Sequence, residues 1–173
     1  FGGSLELVVA ADGRLLMDGL ATVTGGGYLL GAGATMEFNN STHISDGIFI
    51  IPATATVRLD GTHTLEGGSF SGLGTLQFNG QTIINQPVTI ECEVLDFDGP
   101  GGAKQVDVNA ALIINSDQLD LSNNQFDATL NIGPAPARLE VNTPAAWTMA
   151  GTLNHATASN VYATSLSGAA VTL

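Results

Sequence analysis

Apolar and polar residues along this chain keep returning to one five-residue phrase: apolar, any residue, apolar, Asp or Asn, then Gly or Asn. It reads Leu15-Leu16-Met17-Asp18-Gly19, Met36-Glu37-Phe38-Asn39-Asn40, Val57-Arg58-Leu59-Asp60-Gly61, Leu76-Gln77-Phe78-Asn79-Gly80 and Leu95-Asp96-Phe97-Asp98-Gly99. Looser copies stand at Leu119-Asp120-Leu121-Ser122-Asn123 and Leu139-Glu140-Val141-Asn142-Thr143. The copies recur about every 20 residues, a period that marks a solenoid built from strand-turn units. Alternation along a strand sends neighbouring side chains to opposite faces. It predicts one inward row of Leu15, Met36, Val57, Leu76, Leu95, Leu119 and Leu139. A second inward row is Met17, Phe38, Leu59, Phe78, Phe97, Leu121 and Val141. Between them Leu16, Glu37, Arg58, Gln77, Asp96, Asp120 and Glu140 face out, and all but Leu16 are polar or charged, as an outer face requires.

The phrase sits inside a longer repeat. A second strand centres on Val23, Ile44, Leu65 and Ile84, and Gly25-Gly26, Asp46-Gly47, Gly67-Gly68 and Gln86-Pro87 mark the corner after it. A third holds Tyr28, Phe49 and Phe70, followed by a corner at Gly31, Pro52 and Gly72. No stretch carries sustained helical periodicity with caps. The expectation is an all-β chain: a single-stranded parallel β-helix (β-solenoid), right-handed as parallel crossovers are, with three strands per coil of about 20 residues. Residues 1–173 form one segment with regular coils over about 13–156. An irregular loop is expected at about 98–105, around Gly99-Pro100-Gly101-Gly102, and a degenerate or incomplete coil at 157–173. The chain opens at Phe1 and ends on Ala170-Val171-Thr172-Leu173 in mid-pattern, so a fragment of a larger protein is expected.

Composition narrows the partners. The net charge is −12, from 16 acidic against 4 basic residues. Phosphate contacts need clustered Lys and Arg, so nucleic acid is excluded, and anionic membrane surfaces are disfavoured. Only 12% of residues are charged, too few for a disordered acidic tail. No apolar run is long enough to span a membrane. The single cysteine, Cys92, leaves no internal disulfide, and stacked coils need none.

Candidate chemistry is sparse. Asp18, Asn39, Asp60, Asn79, Asp98 and Asn142 fall at one corner, where turn chemistry outweighs a column of calcium ligands. Glu91, Glu93, Asp96 and Asp98 form the densest acidic cluster, with Asp107 near it. Hard oxygen ligands at that density are the one candidate calcium site, and a carboxylate pair for glycoside cleavage is conceivable there. A solvated face is the plainer account, because Cys92, Leu95 and Phe97 interleave as core. No cofactor is expected otherwise. His43, His63 and His155 read as surface histidines, with His43 and His63 facing opposite ways. Tyr28, Phe49 and Phe70 stack at equivalent positions; Ser69 and Ser71 flank Phe70 and put it inside, which argues against a sugar-stacking platform. Thr35, Thr56 and Thr75 make a short outward row. The neighbouring row of Glu37, Arg58 and Gln77 is too uneven for an ice-binding face, and Glu37 is placed to pair with Arg58. Asn39-Asn40-Ser41-Thr42 holds overlapping glycosylation sequons of a kind common by chance. The glycine runs lack the GK[ST] ending of a phosphate loop.

The phrases Ala34-Thr35-Met36-Glu37-Phe38-Asn39-Asn40 and Gly72-Leu73-Gly74-Thr75-Leu76-Gln77-Phe78-Asn79-Gly80 resemble the coils of large bacterial surface proteins. These are the autotransporter passengers and the filamentous-haemagglutinin-like exoproteins. The resemblance covers roughly residues 13–156 and is one of style, so it transfers no functional residue. It implies a non-enzymatic structural or adhesive segment of an extracellular, cell-surface protein. Its partners would be copies of itself, other surface proteins or glycans, with no membrane insertion. The alternative is a carbohydrate-binding or polysaccharide-degrading β-helix. Among Arg14, Arg58, Lys104 and Arg138, only Lys104 beside Asp96 and Asp98 suits lyase chemistry. Passive sugar or ice binding is a third class.

Overall fold

The computed structural model describes residues 6–96, 105–116, 118–120, 129–141, 152–155 and 160–163. In chain order its strands are β1 (Glu6–Val9), β2 (Arg14–Met17), β3 (Ala21–Thr24), β4 (Gly27–Leu30), β5 (Thr35–Phe38), β6 (Thr42–Ser45) and β7 (Ile48–Ile50). They continue as β8 (Thr56–Leu59), β9 (Thr62–Glu66), β10 (Ser69–Phe78), β11 (Gln81–Gln86), β12 (Val88–Asp96) and β13 (Gln105–Val108). The last are β14 (Ala111–Ile114), β15 (Gln118–Asp120), β16 (Thr129–Ile132), β17 (Arg138–Val141), β18 (Thr152–His155) and β19 (Asn160–Ala163). No helix occurs among the described residues, and the parallel strands stack as a β-solenoid with ~21 residues per turn.

The described strands fall on three faces. The first stacks β2, β5, β8, the end of β10, the end of β12, and β15. The second stacks β3, β6, β9, β11, β13, β16 and β18. The third stacks β1, β4, β7, the start of β10, the start of β12, β14, β17 and β19. The first and third faces belong to one 12-stranded sheet, because β10 and β12 run unbroken around the corner between them. The bend falls where the register shifts between Gly72 and Thr75. Gly72 has φ 119°, a conformation other residues rarely adopt. In the earlier coils the same corner is a four-residue turn closed by a backbone bond from its last N–H to its first carbonyl. It occurs at Gly13 to Ala10 (2.9 Å), Ala34 to Gly31 (3.1 Å) and Ala55 to Pro52 (3.0 Å).

The interior is a set of stacked rows. Leu15, Met36, Val57, Leu76 and Leu95 align on the first face, with Leu119 at the same register position in β15. Met17, Phe38, Leu59 and Phe78 form the row beside it. Val23, Ile44, Leu65 and Ile84 align on the second face, and Tyr28, Phe49 and Phe70 on the third. Most of these side chains are wholly buried, each worth roughly 1.5–3 kcal/mol of transfer free energy.

One assignment changes. Leu139, Glu140 and Val141 do not continue the first-face rows: β17 lies on the third face, where Leu139 pairs with Leu112 and Val141 with Ile114. The cause is a displaced turn. Ala137 N–H bonds the Pro134 carbonyl at 3.0 Å, closing the same four-residue turn, but here it leads from the second face into the third. Phe97, Leu121, Asp98 and Asn142 lie outside the described residues, as does 97–104, which holds most of the expected irregular loop. Within 157–173, β19 pairs in register with β17.

Candidate functional site

The acidic cluster is carried by β12, and that strand rounds a corner. Glu91 stands on the third face beside Ser71, Asp96 on the first beside Gln77, and Glu93 in the bend between them. Each end has a hydrogen-bond donor from a neighbouring coil. Asn115 donates to Glu91 Oε1 at 3.0 Å, and Gln77 donates to Asp96 Oδ2 at 2.9 Å. Asp98 and Lys104 lie outside the described residues. Among the described residues no group of three or more His, Cys, Asp and Glu could hold a metal ion. Asp107 lies elsewhere, on the second face, where it accepts from Gln81 at 2.9 Å, Gln105 at 2.8 Å and Asn131 at 2.7 Å. Burial works to raise its pKa, but these hydrogen bonds together prevail and hold it below the usual range.

The same arrangement recurs along the rod. Asn40 donates to Asp18 at 2.9 Å, Asn79 to Asp60, and Asn85 to Glu66 at 2.8 Å, each reaching across one coil. Asn109 then donates to Asn85 and Asn154 to Asn131, both at 2.9 Å. Parallel in-register stacking puts equivalent positions side by side, so a column of carboxylates would repel. Amides interleaved with the carboxylates convert that repulsion into charge-assisted hydrogen bonds. At the first corner Asn40, rather than the expected Asn39, meets Asp18.

Glu37 is the other focus of charge. It faces outward, yet is 6% exposed, because guanidinium groups cover it from both sides. Arg14 Nη2 lies 2.5 Å from Oε2 and Arg58 Nη1 lies 3.3 Å from Oε1. The Arg14 hydrogen bond, assisted by both positive charges, holds the Glu37 carboxyl below its ordinary range against the opposing effect of burial. The Arg58 contact follows from the register; Arg14, two residues off register, is reached only through the length of its side chain.

The histidines separate. His43 is exposed, while the side chain of His155 lies outside the described residues. His63 is fully buried, which overturns its reading as a surface residue. Thr62 and Thr64 flank it and face out, as Ser69 and Ser71 flank the buried Phe70; that signal was available. His63 stacks in register between Thr42 and Thr82, both also buried, and meets the Phe38 ring edge-on with centroids 6.5 Å apart. Both ring nitrogens and both threonine hydroxyls lack a hydrogen-bond partner among the described residues. Burial pushes the imidazole down to about 4, with Asp60 opposing. Cys92 is buried too, and burial, then the Glu91 charge, pushes its thiol up to about 12, far from nucleophilic use.

Tyr28, Phe49 and Phe70 are core, with ring centroids 4.6 and 4.7 Å apart in near-parallel stacks. The outward Thr35, Thr56 and Thr75 do align, beside the uneven row of Glu37, Arg58 and Gln77.

A groove of about 290 Å³ opens at the second corner, lined among others by Asn85, Pro87, Asn109, Ala111, Pro136 and Arg138. The displaced turn Pro134–Ala137 builds one side of it. Composition gave no hint of this groove, because it depends on which corner the turn occupies.

No family model, curated protein or solved structure matches the chain.

Proposed function

We propose that this chain is a non-enzymatic structural or adhesive segment of an extracellular bacterial surface or filament protein. The observation that carries the reading is the use made of its acidic residues. Asp18, Asp60, Glu66, Glu91, Asp96 and Asp107 each accept from an Asn or Gln one coil away. Carboxylates engaged in this way link coil to coil and give the rod an anionic, well-hydrated surface. The repeat phrase and its resemblance to bacterial exoprotein coils agree with a secreted rod, and the buried thiol is protected from oxidants outside the cell.

The test is electron cryo-microscopy of the chain at its native concentration, paired with an assay for polysaccharide cleavage. Coils continued end to end, or rods laid side by side in a regular filament, with no cleavage, support the reading. Isolated rods that cleave an acidic polysaccharide overturn it in favour of the carbohydrate-degrading alternative, with Lys104, Asp96 and Asp98 the first residues to substitute.

A further inference from the structure

The groove at the second corner has a donor row and an acceptor row. On one side Asn85 and Asn109 stack, and Asn109 donates to Asn85, which donates to Glu66. The amide ladder stops there. The next position along is Gly133, whose backbone N–H bonds Val108 and which has no side chain to continue the column. A Cβ at Gly133 would lie 3.4 Å from Asn109 Oδ1, so that carbonyl faces the unfilled position. Asn109 Oδ1 accepts no hydrogen bond among the described residues.

On the other side the register that pairs Val88 with Leu112 sets Pro87 beside Ala111, and Ala111 pairs with Arg138. Ala111 and Pro136 of the displaced turn both line the groove. Arg14 and Arg58 are both engaged by Glu37. Arg138 is held more loosely: its ion pair with Glu140 on the same strand spans 3.9 Å at Nε, beyond hydrogen-bond reach, and its side chain is 42% exposed. A guanidinium presents a planar fork of donors that matches a carboxylate.

We infer that this groove binds a hydroxylated carboxylate, specifically a uronic-acid residue of an acidic polysaccharide. Arg138 takes the carboxylate, the Asn109 carboxamide takes a ring hydroxyl, and the exposed Pro87 and Pro136 offer an apolar surface to the C–H face of the sugar. The net charge of −12 opposes long-range capture of an anion, so affinity comes from contact geometry, and one sugar unit binds at roughly millimolar Kd. The inference rests on the adhesive reading only for the source of the ligand.

The experiment is a titration of the isotope-labelled chain followed by the side-chain NMR signals of asparagine amides and arginine Nε. The probes are galacturonic acid, its trimer, galactose and acetate. The expected result is saturable shifts at Asn85, Asn109 and Arg138 with galacturonic acid, tightening several-fold with the trimer, and at least ten-fold weaker with galactose or acetate. Arg138→Gln removes the response, and Gly133→Asn, which extends the ladder over Asn109, removes it without altering charge. Arg14→Gln leaves it intact. No shift up to tens of millimolar, or an unchanged response in Arg138→Gln, overturns the site. An equal response to acetate reduces it to a simple carboxylate site, and a trimer that binds no tighter than the monomer points to a free hydroxy acid; both overturn the polysaccharide assignment. These signals report the groove alone, so they stand or fall independently of whether filaments form.

Discussion

Two interior rows run side by side along the rod and differ in almost every chemical respect. On the third face Tyr28, Phe49 and Phe70 stack ring on ring, and the one polar atom among their side chains, the Tyr28 hydroxyl, donates to the Gly25 carbonyl at 3.2 Å. On the second face Thr42, His63 and Thr82 are at least as deeply buried, yet their hydroxyls and ring nitrogens have no partner among the described residues. The first row gains apolar burial and ring stacking. The second carries the desolvation cost of polar groups without the compensating hydrogen bonds. The lesson concerns stacking order. In a solenoid the register of a coil is set by all its rows at once, so a polar row is held in the core by the apolar rows sharing its strands. Ile44, Leu65 and Ile84 are that support, two residues along the same strands.

The comparison is broken most severely by emptying the aromatic row. Phe49 lies between two stacked rings and meets Phe38 edge-on at 6.3 Å. Phe49→Ala leaves a cavity that backbone stacking cannot close, and is expected to cost about 3–5 kcal/mol in denaturant unfolding. A loss below about 1 kcal/mol would mean that neighbouring coils collapse into the space, and that rows are less rigid than the register implies.

The polar row is sharpened by pH. The folded pKa of His63 is depressed to about 4 from 6.5, so the unfolded chain takes up the proton first. Stability from the neutral imidazole is therefore complete above about pH 6.5, is lost as pH falls toward 4, and levels off below. The integrated loss is about 3 kcal/mol. Glu37 and Asp107, whose folded pKa values are also lowered, add their own loss on acidification at carboxylate pH. His63→Leu keeps those contributions and lacks the imidazole. Its stability curve is expected to run parallel to the wild type above pH 7 and to diverge between 6.5 and 4. Curves that stay parallel throughout would show that His63 reaches solvent in the native state.

How much of this was legible in the sequence depends on what each position had to reveal. The period and the alternation locate rows, because every coil repeats them; Leu15 through Leu95 and Tyr28 through Phe70 follow from that alone. The chemistry of a row is a separate matter. His63 has a polar side chain at an inward position, and residue type argued for the surface while its flanking threonines argued for the core. Leu139 shows the opposite failure. Ala137-Arg138-Leu139 copies Ala34-Thr35-Met36 because both follow the same four-residue turn, but a turn can serve more than one corner. Once it moved, strand order along the face changed, and the groove beside Arg138 arose from that move. The amide–carboxylate contacts were hidden for a related reason: donor and acceptor lie 19 to 26 residues apart and meet only when coil lengths are known.

A third measurement removes one hydroxyl from the polar row. Thr82→Val keeps the shape of the side chain and deletes an oxygen that has no partner among the described residues. Its desolvation cost disappears with no hydrogen bond lost, so a gain of about 1 kcal/mol is expected. The smallest change is the mirror experiment, Tyr28→Phe. It also deletes one hydroxyl from a buried row, but this one donates to Gly25, and its removal leaves that carbonyl without a bond at the second corner. The expected effect is a loss of about 0.5 kcal/mol, the lower end for a neutral hydrogen bond at this length. The pair is informative through its signs. Each substitution makes a core row more apolar, and bulk hydrophobicity would have both stabilise the fold. Opposite signs in matched unfolding curves would establish that hydrogen-bond partnership, more than polarity itself, separates the two rows. The same sign for both would mean that the threonine row finds partners in the native state and that the contrast between the rows is smaller than the geometry indicates.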